Sequence, residues 1–251
     1  MTNPVSPPDQ LSLFDQAAAE PALRVRRSRR ARRLSVRVFP HGAVEVVAPM
    51  RAGHREVQAF VDEHQGWIER ARDEMAASGS AADISLPSRI ELALSAERYG
   101  ISYIDTRGRA RLQKMSGGNL AIHHDRDDRD AARRLLRQWV RDRARDLLLP
   151  LLERLAARTG LEPTGVRIGR QRSRWGSCSS AGRVNLNCGL LFVRPPLVEY
   201  LIIHELCHLR HLNHSPRFWR LVGTHLPGYE ALERELAASW TRVPGWLFYD
   251  A

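Results

Sequence analysis

Cysteine, lysine and long apolar runs are all scarce in this chain of 251 residues. The three cysteines, Cys178, Cys188 and Cys207, form an odd set with no Cys-x-x-Cys pair, which argues against a disulfide framework and against a four-cysteine zinc site. Reduced thiols are the simpler expectation. No run approaches the ~18 apolar residues of a membrane helix, so no membrane span is expected. The first residues, Met1 to Leu23, lack the basic-then-apolar layout of a secretory signal, and a cytoplasmic location is expected. Lysine is represented by Lys114 alone, yet Lys+Arg number 39 against 28 Asp+Glu, for a net charge of +11 carried almost wholly by arginine. That surplus points to a polyanionic neighbour, with nucleic acid the first candidate, or to arginine spread evenly over the surface.

The remaining pattern divides the chain into three parts. Residues 1–23 hold four prolines and few large apolar residues and read as a flexible tail. Residues 24–125 read as a β-rich N-terminal part with one helix. It opens on a basic run over 24–33 and continues with an alternating hairpin pattern through Leu34, Val36, Val38, Val44 and Val46. Helical spacing follows over 55–76, with Val57, Phe60, Val61, His64, Trp67 and Ile68 on one face. Residues 126–251 read as a second, mainly helical part. Its long amphipathic helix, from Asp128 to about Arg158, is expected to kink or divide at Pro150. Short strands are expected near 165–169 and 183–193, and a helix over roughly 196–212 opens on Pro195-Pro196. The order predicts an α+β protein.

The chemistry concentrates in His204-Glu205-Leu206-Cys207-His208. On a helix, residues i and i+4 share a face, so the two imidazoles can converge on one ion, and Glu205 lies about 100° round from His204. From there a carboxylate reaches a zinc-activated water as general base without ligating the metal. The preceding Leu197-Val-Glu-Tyr-Leu-Ile-Ile203 is strongly apolar, so the helix is expected to be buried, and three buried polar groups need partners. A catalytic zinc usually takes three protein ligands. His211, seven residues after His204, is disfavoured because three ligands along one straight helix cannot surround an ion. His214 is favoured: Asn213 tolerates the left-handed conformation that ends helices, and a turn there brings His214 back over the metal. Glu230 and Glu233 on the next helix remain contenders.

Residues 170–219 resemble the YgjP-like metallopeptidase family, a relative of the SprT-like proteases. Three blocks carry the likeness: Ser173-Arg174-Trp175-Gly176-Ser177-Cys178, then Val184-Asn185-Leu186-Asn187, then the histidine motif with Asn213-His214-Ser215-Pro216-Arg217-Phe218-Trp219. The resemblance implies a minimal zincin-like catalytic domain, helices with a small antiparallel sheet, with zinc on His204, His208 and His214, Glu205 as catalyst, and a peptide or protein substrate. The spacing also resembles the metzincin pattern, except that His211 stands where that pattern has glycine, so the turn must be made differently.

Gly182 to Asn187 alternates like a strand, either a core strand or an edge to which an extended peptide pairs. Trp175 and Trp219 read as packing residues, and Cys207 as a small buried apolar one. Gln10-Leu11-Ser12-Leu13-Phe14 resembles the pentapeptide by which bacterial proteins dock on the replicative sliding clamp. With the arginine run and the SprT-like likeness, it raises two readings: a protease acting on DNA-associated proteins, and a DNA- or clamp-bound adaptor whose zinc is structural.

Overall fold

The computed structural model describes residues 23–29, 31–38, 44–77, 85–172 and 174–248. The clamp-like pentapeptide at 10–14 lies outside them. Chain packing divides the molecule into two compact units, with the boundary between Ala81 and Ala82.

In the first unit β1 (Leu23–Ser28), β2 (Ser35–Val38) and β3 (Val44–Pro49) form a sheet of order β1-β3-β2. The arginine run supplies β1, parallel to β3, and Arg26 pairs with Glu45 across the ladder at 3.2 Å. β2 lies antiparallel to β3, as the alternating valines predict. The helix α1 (His54–Ala77) follows. Val46, Ala48, Ala52 and Val57 form a small core, with Leu34, Val36, Phe60 and Val61 packed against it. Trp67 departs from the expected apolar face and is 46% exposed.

In the second unit β4 (Arg89–Leu92), β5 (Glu97–Asp105), β6 (Arg111–Lys114) and β7 (Leu120–His124) make a mixed sheet of order β4-β5-β7-β6. This sheet packs with α2 (Arg129–Thr159): Tyr99 meets Trp139 edge-on at 4.7 Å, and Arg143 forks onto the Glu97 carboxylate. The strands of 89–124 therefore share a unit with the helices that follow. α2 starts at Asp128, whose carboxylate accepts from the Ala131 N–H at 2.8 Å, and ends at Gly160, where φ is +67°. It runs through Pro150 as one element rather than dividing there. Pro150 lies on an exposed face of the helix, while Leu148, Leu152 and Leu155 are buried around it.

The next sheet, β8 (Gly165–Gly169), β9 (Gly176–Cys178) and β10 (Arg183–Asn187), has the order β8-β10-β9. β8 runs parallel and β9 antiparallel to β10, so the small sheet is mixed rather than antiparallel. β9 has only three residues and no readable alternation, and sequence reasoning missed it. β10 stops at Asn187, where a 3-10 turn over Cys188–Phe192 takes over from the longer strand expected. Four helices follow: α3 (Pro195–Cys207), α4 (Pro216–His225), α5 (Tyr229–Ala238) and α6 (Gly245–Phe248). α3 is the central helix, with Leu197, Val198, Ile202, Ile203, Leu206 and Cys207 at 0% exposure. Each large apolar side chain so buried contributes roughly 1.5–3 kcal/mol. Arg158 on α2 pairs with Glu199 at 2.6 Å, and Arg194 at the start of α3 forks onto Glu235 of α5. The resulting α+β architecture matches the class read from the sequence, and no helix among the described residues is long and apolar enough to cross a membrane.

Candidate metal centre

α3 begins on Pro195-Pro196, as the proline signal predicts, but ends at Cys207 rather than near 212. The chain turns immediately: the N–H groups of Leu209, Arg210 and His211 bond back to Leu206 and Cys207 carbonyls. No left-handed residue at Asn213 makes the turn, since the one described non-glycine residue with positive φ is Ala96. The loop closes at Ser215, and Pro216 starts α4. His204 thus comes from the last turn of α3, His208 from its C-cap, and His214 from the loop that doubles back before α4.

These three imidazoles are brought together. The Nε2 atoms of His204 and His214 lie 3.1 Å apart, and one ligand atom from each of the three rings falls within 4.8 Å of the others. Two nitrogens bound tetrahedrally at ~2.0–2.1 Å would stand about 3.3 Å apart, so one edge of the triangle already has the spacing zinc needs. Two of the remaining ring nitrogens have partners. His208 Nδ1 meets the His211 carbonyl at 2.9 Å, and His204 Nδ1 faces the Tyr200 hydroxyl at 3.4 Å. The carbonyl at His208 Nδ1 requires an N–H there, which leaves Nε2 free for a metal, the arrangement that orients metal-binding histidines. His211 contributes its backbone, and its ring is not in the cluster. Glu230 and Glu233 do not join it either.

Phe218 of α4 is fully buried beneath the rings, with centroids 4.9 Å from His204, 4.4 Å from His208 and 4.9 Å from His214. Trp219 stacks on His214 at 5.5 Å and on Tyr229 at 5.4 Å, and so holds the one exposed histidine of the three. Trp175 is a packing residue, stacked on Trp240 at 4.0 Å with its N–H donated to the Leu236 carbonyl. Cys207 is fully buried.

Glu205 points away from the imidazoles' face towards β9. It is 5% exposed, and its Oε2 has no hydrogen-bond partner. Gly176 makes room for it: a Cβ there would lie 2.6 Å from Glu205 Oε1 and 2.8 Å from Cγ. The strand is held in place by Asn187, itself fully buried. Its side-chain amide donates to the Gln171 and Arg174 carbonyls at 2.6 and 2.9 Å, and its backbone N–H donates to the Trp175 carbonyl at 2.8 Å. The roles of Gly176, Asn187 and Phe218 were missed from the sequence, although all three stand in the recognised blocks.

Burial dominates the electrostatics. It pushes the Glu205 carboxyl up to about 7, with Arg174 opposing. His204 is held down at about 3 by burial and then by the charges of His208 and His214. Burial also lowers His208, against the pull of the His211 carbonyl. The metal-free cluster therefore disfavours protons on these two imidazoles, as ligands for a cation must.

A family model for the YgjP-like metallopeptidase domain matches residues 32–239, and the chain belongs to that family. Among solved structures it is similar to the metallopeptidase zymogen abylysin of Pyrococcus abyssi, at 27% identity over 39% of this chain and 98% of that one, with a TM-score of 0.35. It is also similar to the zymogen jannalysin of Methanocaldococcus jannaschii, at 21% identity over 36% and 92% of the two chains, with a TM-score of 0.32. No curated protein matches the chain.

Proposed function

We propose that this metallopeptidase is zinc-dependent, with His204, His208 and His214 as the metal ligands and Glu205 as the general base. The observation that carries the reading is the buried Glu205 carboxylate, its Oε2 without a partner, on the residue next to the first of three converging imidazoles. Leaving such a group unpaired costs stability, and a catalytic role accounts for it. A divalent cation held by His204, His208 and His214 would supply a Lewis acid for the scissile carbonyl and acidify a water, and its charge would favour ionised Glu205. Glu205 takes the proton of the attacking water and hands it to the departing amine, which splits the peptide into a carboxylate and an amine. Tyr200 and the His211 carbonyl fix the ring orientations through Nδ1.

The substrate is read as an extended peptide lying along β9. β10 is the central strand of its sheet, and β9 is the edge beside Glu205. Trp175, Ser177 and Ser179 direct their backbone groups at β10, as the Asn187-to-Trp175 and Ser179-to-Arg183 bonds show. Gly176 and Cys178 therefore direct theirs outwards, where a peptide can add a strand.

Elemental mass spectrometry and hydrolysis of an unfolded protein test the assignment together. About one zinc per chain is expected in the wild type, lost in His214→Ala but kept in His211→Ala. Glu205→Gln should keep zinc and lose hydrolysis, whereas an adaptor with a structural zinc would be indifferent to it. The charge of +11 supports a narrower reading, that the peptides belong to DNA-associated proteins. Faster cleavage of a DNA-bound protein than of the same protein free in solution is the outcome it requires.

A further inference from the structure

The outer face of the β8-β10-β9 sheet, the face turned away from α3, carries a cleft of about 620 Å³. Its lining includes Arg167, Arg174 and Arg183 together with Ser177, Ser179 and Asn185, and no acidic residue. The sheet register explains the grouping. Asn185 is paired with Arg167 on one side and with Ser177 on the other, so these three side chains form one row across the sheet. Gly176 faces Glu205 and its register partner Leu186 is fully buried, so Ser177, one residue on, must face the opposite way. All three arginines are exposed, and none has a carboxylate within ion-pairing distance among the described residues. Arg174 acts on Glu205 only through space. Some arginines elsewhere in this unit do have acidic partners, as Arg143 does in Glu97, Arg158 in Glu199 and Arg194 in Glu235. A cleft of ligand size with three unpaired guanidiniums and no counter-charge is complementary to carboxylates.

We propose that this cleft is a specificity subsite for acidic side chains of the peptide substrate. The inference rests on the reading of β9 as the substrate edge. A peptide paired with Gly176 and Cys178 becomes the fourth strand of the sheet, and its side chains alternate between the two faces. Those level with Ser177 extend the row of Ser177, Asn185 and Arg167 and hang over the cleft. Aspartate or glutamate at alternate positions near the scissile bond therefore meets Arg174 at the near rim and Arg167 and Arg183 further in. A nucleic-acid backbone would also find these charges. The concave shape and its continuity with a strand edge beside the catalytic glutamate favour the peptide.

The test uses the zinc-loaded full chain and internally quenched peptides with glutamate or its neutral isostere glutamine at alternate positions. The glutamate peptide should be cut with a kcat/KM about tenfold higher, and salt should erode the difference. In Arg167→Gln/Arg183→Gln, and in part in each single variant, the ratio should fall towards one. Equal rates for the two peptides, or a ratio unchanged in the double variant, would overturn the proposal and leave the peptidase reading intact. Fluorescence anisotropy of the same glutamate peptide on Glu205→Gln separates the two ideas. Binding there that depends on Arg167 and Arg183, with no hydrolysis by the wild type, would keep the subsite and sink the peptidase reading. Arginine-dependent binding of a single-stranded oligonucleotide, with none of the glutamate peptide, would overturn the subsite in favour of phosphate.

Discussion

Gly176 and Glu205 touch: a methyl group on the glycine would lie 2.6 Å from the Glu205 carboxylate oxygen Oε1. The glycine is there for space, since the carboxylate occupies the volume any side chain would need. Gly176→Ala must push either β9 or the carboxylate aside. A loss of about a hundredfold in kcat is expected, with zinc content unchanged, because a shift of ~1 Å in a catalytic group has that scale of effect. Steady-state kinetics paired with elemental analysis checks both halves.

Phe218 underlies all three imidazoles, so its truncation should be felt as both stability and metal affinity. Phe218→Ala is expected to cost about 3–5 kcal/mol by opening a cavity in a fully packed site. Zinc affinity should fall by about tenfold or more, since the rings lose the surface that orients them. Urea unfolding and competition with a chromophoric chelator measure the two effects, and Phe218→Leu should show milder losses in both.

The raised pKa of Glu205 makes a prediction for the chain stripped of metal. Its folded value of about 7 lies above the ordinary 4.5, so the folded state holds a proton that the unfolded state has released between those values. Its contribution is fully present below pH 4.5 and is lost as pH rises to about 7. Metal-free Glu205→Gln should therefore match the wild type near pH 4 and exceed it at pH 8 by on the order of 1–3 kcal/mol. Unfolding curves at the two pH values show whether the gap opens in that direction.

Asn187 ties the 170–175 loop to β10 with both its side-chain amide and its backbone. Asn187→Ala removes the donor to two partly buried carbonyls and should cost about 1–3 kcal/mol. Because the same loop delivers β9 to Glu205, kcat should fall more than zinc content does. Asn187→Asp, which cannot donate to those carbonyls, should be no better. A full retention of kcat in a folded Asn187→Ala chain would show that β9 holds itself in place.

Much of this architecture is local, and local physics is legible in sequence. Helical spacing puts His204 and His208 on one face, paired prolines open α3, and alternation marks β2, β3 and β10. The α+β class and the metallopeptidase family followed from such patterns and from three short blocks. What could not be read locally are the features decided by contacts between distant segments. β9 exists because Asn187 and the Trp175 backbone meet, and three residues carry no period of their own. α3 stops at Cys207, not near 212, because the chain turns on ordinary backbone bonds, without the left-handed asparagine expected. That early stop leaves His211 holding His208 by its carbonyl and carries His214 to within 3.1 Å of His204. Which residues could share a helix face was legible from the chain alone, since that depends only on the 3.6-residue repeat. How His214 returns to the cluster, and which glycine makes room for the glutamate, follow from packing, because periodicity does not select contacts across a chain.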